Sequence, residues 1–374
     1  MATITFYPLG NADTISICLA NSQLILIDYA NMRDAADKED KRCNLPNELR
    51  NLLEKNKQTG FRVVCFSHLD DDHVKGMSDF FWLEHAQKYQ TKDRPKIEEL
   101  WVPAAAITEE GVDGDARIVR QEARHRLREG KGIKVFSRPE ALKEFLEKEN
   151  LTVEKRKNCI VDAGTIVNGF SLTQSERVEF FAHSPFAWRF DDQKIEDRNQ
   201  NSIFFQATFL EGNTKTCAMF GGDIDSETLT EVIKTTKKHK NEDRLIWDVL
   251  KLFHHCSYTA LNSSSTDPEK PVTPVDEVKW FIETQGQNGC IIISPSCVLP
   301  EKDTKCANPP HLRAAKYYKK IASSKDGEFK VTMESPTKNS PIPIQVNIDG
   351  RGASIAVIIS TAIGTATNSP TRAG

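Results

Sequence analysis

Five short apolar runs in this chain each end at an acid or a histidine: SQLILIDYA, FRVVCFSH, VEFFAHSP, KTCAMFGGD and DVLKLFHH. Runs of this length, bounded by turn residues, read as buried strands. Strand ends are where sheets flanked by helices gather their functional groups. A chain that concentrates His and Asp there is constrained to folds that bring several strand ends to one place.

The rest of the pattern fits that constraint. TITFYPLG, DTISICLA and SQLILIDYA predict a β-meander of three strands joined by tight turns. A helix is expected from about Leu45 to Lys57, introduced by Asn44 and Pro46 and ended near Gly60. Residues 84–158 are highly charged and mostly helical in pattern, and read as an insertion or a helical layer. Strands return with VEFFAHSP, SIFFQATFL, KTCAMFGGD, DVLKLFHH and CIIISP. HLRAAKYYKKIA predicts a helix, IPIQVNI and ASIAVIIS read as further strands, and 365–374 has the composition of a loose tail. Strands, then helices, then strands again suggest two sheets covered by helices, in one domain spanning 1–364.

Length alone would allow more than one domain at 374 residues, but a large α/β domain absorbs it. The longest apolar runs are too short to cross a bilayer, so no membrane role is expected. The first twenty residues carry Asp13 and lack a basic start, which argues against a signal peptide and for the cytoplasm. Nine scattered cysteines without a CxxC pair read as buried thiols. A net charge of -3 gives no global attraction to nucleic acid, so such binding would need a local basic groove.

The densest chemistry lies in CFSHLDDDHVKGM, residues 65–77, where His68, Asp70, Asp72 and His73 follow an apolar strand. Gly76 lets the backbone turn immediately afterwards, so a tight loop can aim several side chains at one point. Carboxylate and imidazole are both competent ligands for Zn²⁺ and its first-row neighbours. An Asp run beside a turn is also what a solvated cap looks like. The recurrence of candidate ligands at other strand ends, His183, Asp223 and His254, favours a metal site.

The order H-x-D-x-D-H, a strand-end His, G-D after an apolar strand, and H-H resembles the metallo-β-lactamase-fold hydrolases. Within them it is most similar to the hydrolase domain of bacterial competence DNA-uptake channels, in which Asp commonly replaces the second His. FYPLGNADTISICLANSQLILIDYA resembles that group's opening hairpins, AHSPFAW and NQNSIFFQ its His-Pro loop and Asn-x-Ser strand, and LKLFHHCSYTALNSS its His-His-Gly-Ser segment. The likeness spans roughly residues 3–320, leaving 84–158 unmatched. Cys256 stands where the family has Gly, Tyr29 where a small residue follows Asp28, and KCANPPH is a degenerate form of the late His loop.

The resemblance implies a four-layer αββα sandwich of the metallo-β-lactamase type and a dinuclear site. One metal would take His68, Asp70 and His183, the other Asp72, His73 and His254, with Asp223 bridging. The ions are two divalent cations, zinc first, with Mn²⁺ and Mg²⁺ as rivals because Asp hardens the first position. Two such ions about 3.5–4 Å apart hold a hydroxide between them and stabilise both oxygens of a phosphoester undergoing cleavage. Asp72 and His255 are the candidates for catalytic roles, His255 either as the ligand in place of His254 or as proton donor to the leaving group. If the strand continued through both, their side chains would point to opposite faces. Asp28 is expected to orient a ligand, and Ser257 and Tyr258 either touch substrate or satisfy the backbone. Of the remaining histidines, 85, 125 and 239 read as solvated, while His311 lies near enough in the late loop to approach the site.

A phosphodiesterase or nuclease acting on a nucleic acid or nucleotide is the expected activity, with RHRLREGKGIK and KTTKKHK as basic segments able to grip phosphates. A small ester, lactone or thioester hydrolase would use the same hydroxide. The third reading is a metal-binding regulatory subunit of a multi-protein, defence-type assembly, with the helical insertion available to a protein partner.

Overall fold

The computed structural model describes residues 1–186, 199–305 and 308–356. The meander forms where alternation puts it. Strands β1 (Ala2–Phe6), β2 (Ile15–Cys18) and β3 (Leu24–Ile27) pair antiparallel in succession, with Ile17 opposite both Ile4 and Ile25. The helix Leu45–Lys55 then carries the chain across the sheet. The Asn44 side chain accepts from the Asn47 N–H, Pro46 occupies the first turn, and Leu45, Leu49 and Leu53 are buried at four-residue spacing. This crossover lets β4 (Gly60–Cys65) run parallel to β3, and β5 (Lys96–Pro103), β6 (Ile133–Phe136) and β7 (Ile160–Val161) extend the parallel set.

The second sheet contains β8 (Thr165–Ile166), β9 (Val178–Ser184), β10 (Phe204–Glu211), β11 (Thr214–Gly221), β12 (Trp247–Lys251), β13 (Gly286–Ser294) and β14 (Glu328–Val331), adjacent in that order. A small ribbon, β15 (Pro336–Thr337) with β16 (Ser340–Pro341), precedes the return to the first sheet. There β17 (Ile344–Asp349) pairs with β1, and β18 (Gly352–Ile355) pairs with β17.

The LILI run of β3 shows how the layers are specified. Leu24 and Leu26 pack under the helices, whereas Ile25 and Ile27 join the core between the sheets. A strand buried on both faces needs no polar alternation. In the inter-sheet core, Trp101 of β5 meets Phe180 and Phe205 of the opposing sheet edge-on, at 5.3 and 6.2 Å between ring centres. Helices Leu45–Lys55, Gly114–Glu129 and Glu140–Lys148 cover the first sheet, and Ser226–Lys238 and Leu312–Ser324 cover the second. The result is the four-layer αββα sandwich expected for the metallo-β-lactamase type.

Residues 84–158 supply the helical layer expected of them, in Gly114–Glu129 and Glu140–Lys148, and in addition two strands. β5 and β6 lie inside the nine-stranded sheet, between β4 and β7, with Leu100, Trp101, Val102, Ile133 and Val135 buried. The charged first half of β5, KIEEL, hid a strand whose neighbours shield it. The loose tail 365–374, the last residues of ASIAVIIS, Ala187 and Trp188, and Cys306 lie outside the described residues. Among the described residues no helix is long and apolar enough to cross a membrane.

One buried polar knot ties the helix Gly114–Glu129 to its sheet. Arg126 donates to Glu122 at 2.7 Å and to the carbonyls of Ile97 and Gly132 at 3.0 and 2.9 Å. Glu122 also accepts from the backbone N–H groups of Glu84 and His85 and faces His85 Nδ1 at 2.8 Å. Burial works against its charge, but His85, Arg126 and the Glu84 N–H outweigh it and hold the carboxyl at about 2. A depressed acid adds stability above its unfolded value near 4.5, and this is lost as pH falls toward 2. Glu122→Gln should therefore cost on the order of 3 kcal/mol at pH 7, with the gap to the parent narrowing between about pH 5 and 2. Urea unfolding of both proteins across that range checks it; a gap independent of pH would contradict it.

Candidate metal centre

The carboxyl ends of β3, β4, β11 and β12 supply the site. Asp28 follows β3, His68 follows β4 and opens the loop to His73, Asp223 follows β11, and His254 and His255 follow β12. Ligand atoms of Asp72, His73, Asp223 and His255 all lie within 4.8 Å of one another. His73 Nε2 is 3.4 Å from Asp223 Oδ1, and His255 Nε2 is 3.1 Å from Asp72 Oδ2 and 3.3 Å from Asp223 Oδ2. The ring centres of His68 and His73 lie 3.9 Å apart with the planes tilted at 48°, and His68 Nε2 is 3.6 Å from Asp70 Oδ2. Asp70 and Asp72 are the partly exposed members, so the cluster opens to solvent on their side.

The histidines share a design. His73 Nδ1 is 2.9 Å from Asp28 Oδ2, and His255 Nδ1 donates to the Pro295 carbonyl at 2.9 Å. His183 Nε2 donates to the Arg244 carbonyl at 2.9 Å, and His68 Nδ1 faces Ser67 Oγ at 3.2 Å. One nitrogen of each ring is thus held from behind, as an oriented metal ligand requires. The other nitrogens of His68 and His183 are buried without a hydrogen-bond partner, an arrangement that is costly unless something electropositive meets them. Asp28, expected to orient a ligand, does so twice over: it also accepts from Ser67 N–H and Oγ–H at 2.7 and 2.8 Å.

Electrostatics divide the imidazoles. Burial lowers His68 well below the ordinary range, with His73 adding to the effect, and burial brings His183 down to about 4. Both are neutral and ready to coordinate. Burial opposes charge on His73 and His255 too, but Asp28 and Asp223 outweigh it at His73, and Asp223 and Asp72 lift His255 to about 10. Reciprocally, Asp72 and Asp223 are held below the ordinary carboxylate range by these imidazoles, against the effect of burial. Without a cation, two imidazolium groups neutralise the carboxylates; a metal would replace those protons.

The paired histidines differ in placement. β12 stops at Lys251, so strand alternation never reaches them. His254, His255 and Cys256 instead take consecutive left-handed conformations, φ 45°, 49° and 67°, each costing roughly 1–2 kcal/mol for an L-residue. That turn drives His255 inward, 2% exposed, while His254 stays 28% exposed with Nε2 4.0 Å from Asp223. Cys256 occupies one of the left-handed positions, a conformation that glycine adopts without steric cost. His183 stands outside the four-residue group, its ring stacked on Phe204 at 4.9 Å. Tyr258 N–H donates to His311 Nδ1 at 3.3 Å, and His311 N–H donates to the Cys256 carbonyl, so His311 braces this turn.

Two participants escaped the sequence reading: Asp13, in the turn before β2, and Lys251, the last residue of β12, each 1% exposed and ion-paired together. A single charge inside the apolar run VLKLF was the available signal. Gly222 is a third: a Cβ there would come within 2.8 Å of Ser67 Oγ and Ser202 Oγ, so only glycine lets Asp223 approach.

No family model matches the chain, and no curated protein does. Among solved structures it is similar to unliganded yeast PDE1, with 10% identity, 88% of this chain and 96% of that one covered, and a TM-score of 0.40. It is also similar to a new diphosphatase from the PhnP family, with 9% identity, 78% and 85% coverage and a TM-score of 0.31. A third is native FEZ-1 metallo-β-lactamase from Legionella gormanii, with 12% identity, 58% and 62% coverage and a TM-score of 0.24. The chemistry of the site is therefore read from its own side chains.

Those side chains separate the two neighbouring histidines. His255→Ala should weaken zinc binding by more than about 10-fold, whereas His254→Ala, at the rim, should change it by less than about 3-fold. Competition titration against a chromogenic chelator measures both, and the reverse ranking would return the ligand role to His254.

Proposed function

We propose that the protein is a metal-dependent hydrolase of phosphodiesters, a phosphodiesterase or nuclease. Asp72, His73, Asp223 and His255 would hold one divalent cation, and His68, Asp70 and His183 a second, with Asp223 between them. The observation that supports this reading is the set of four imidazoles held from behind, with the other nitrogen of His68 and of His183 buried and without a hydrogen bond. When bound, a cation pair supplies a water of lowered pKa and neutralises charge on phosphoryl oxygens. Zinc suits the imidazole-rich set, while the carboxylates keep Mn²⁺ and Mg²⁺ as alternatives. The chain's own part is to fix each imidazole in one orientation, and to leave Asp70 and Asp72 at the mouth where substrate enters.

A basic groove supports an extended polyanion as substrate. Its volume is about 850 Å³, and Lys270, Lys302, Lys305, Lys316, Lys320 and Arg313 line it, against the acids Glu269, Glu301 and Asp303. Asp303 is engaged, accepting from the N–H groups of Leu312 and Arg313. Arg313 lies 3.9 Å over the Tyr258 ring, beside the His311 brace, and its guanidinium donates to Ser265 Oγ and the Asp267 carbonyl. Within the basic segments expected to grip phosphates, Arg124 pairs with Glu110, Arg128 with Glu149, Arg126 is buried, and Lys237 lies 3.6 Å over the Trp280 ring.

Metal analysis of purified protein beside hydrolysis of bis-nitrophenyl phosphate and nitrophenyl acetate tests the reading. Two equivalents of metal, diester turnover, and a loss of at least about 100-fold in His68→Ala are expected. Turnover of the acetate alone would point to an ester hydrolase, and metal without any turnover to a binding subunit.

A further inference from the structure

We propose that Lys251 and Asp13 are positioning residues whose buried ion pair sets the affinity of the centre formed by Asp72, His73, Asp223 and His255. This rests on the metal reading above. The ammonium of Lys251 donates to the Gly221 carbonyl at 2.8 Å and pairs with the Asp13 carboxylate. Gly221 ends the strand that presents Asp223, and Lys251 ends the strand that presents His255. One cation therefore clamps the two strand ends together and draws the β1–β2 turn onto them.

Asp13 extends the clamp to the remaining members. Its N–H donates to the Asp72 carbonyl at 3.0 Å, its Oδ1 lies 3.7 Å from His255 Nδ1, and its Oδ2 lies 3.9 Å from His73 Nδ1. All four members of the group are thus within one residue's reach of a single pair that itself touches no solvent. The buried ammonium also offsets one of the carboxylate charges crowded here, which are Asp13, Asp28, Asp72 and Asp223. The other charged groups facing Asp13 are His255, His73 and Asp223. Neither Lys251 nor Asp13 belongs to the four-residue group, although Asp13 lies with Asp28 and His73 in a second set of mutually close ligand atoms; the pair acts on the four through the imidazoles and strand ends it holds.

Removing one partner of a buried pair leaves an unpaired charge and endangers folding. The test therefore uses the charge-balanced double variant Lys251→Met with Asp13→Asn. Apo protein prepared with chelator is titrated with Zn²⁺ by calorimetry, and its melting is followed by circular dichroism. The parent should take two equivalents. The double variant should melt as a folded protein, yet bind one of the two equivalents 10–100-fold more weakly. A pair that served only to stabilise the fold would shift the melting temperature and leave zinc affinity unchanged, which overturns the proposal. Should the double variant not fold, Asp13→Asn alone decides: roughly 10-fold weaker binding is expected, and undiminished affinity overturns it. A parent that binds no zinc overturns the metal reading and this proposal with it.

Discussion

Face-to-face packing of two sheets is the constraint on which everything else depends. Trp101, Phe136, Phe180, Phe205 and Phe220 fill the space between them, together with the Ile and Val side chains of β1 to β4. Because the paired sheets cannot slide without opening that core, the ends of β3 and β4 in one sheet and of β11 and β12 in the other are fixed opposite each other. Three chain segments separated by up to 183 residues can then place ligand atoms within 4.8 Å. Loops alone could not hold such a spacing.

The site spends much of that rigidity on orientation. Carbonyls of Arg244 and Pro295, the Asp28 carboxylate and the Ser67 hydroxyl each engage one imidazole nitrogen. A neutral imidazole has one donor and one acceptor, so engaging one nitrogen defines what the other can do. The strained turn through His254, His255 and Cys256 belongs to the same scheme. Left-handed backbone at three successive L-residues persists only where its surroundings over-determine it, and here the His311 brace and the Pro295 carbonyl do so. Glycine at 222 completes the picture by letting a carboxylate come close where any side chain would collide.

Much of the architecture was legible because it follows from local periodicity. The meander, the capped helix after Asn44, and the apolar strands that end in His or Asp each depend on neighbours in sequence. β5 was not legible, since KIEEL reads as charged and helical until β4 pairs along it, with β6 joining only from Leu100 onward. In the site, His68, Asp70, Asp72 and His73 stood out as a cluster after an apolar strand and Asp223 as a further strand-end acid, with their roles supplied by resemblance, and the choice between His254 and His255 stayed open. It depends on where β12 stops and on a backbone conformation that no propensity favours.

The sequence by itself determined which residue types reach the strand ends, because apolar alternation and turn residues decide where strands begin and stop. Only the tertiary structure decided which of them meet. Whether a histidine becomes a buried, oriented ligand or a rim residue is a matter of which carbonyl or carboxylate lies behind its ring. Those partners, Pro295 for His255 and Arg244 for His183, come from distant segments. The same holds for Lys251 and Asp13: nothing near either in sequence marks a pair, and their ion pair exists because the two sheets bring β12 against the β1–β2 turn.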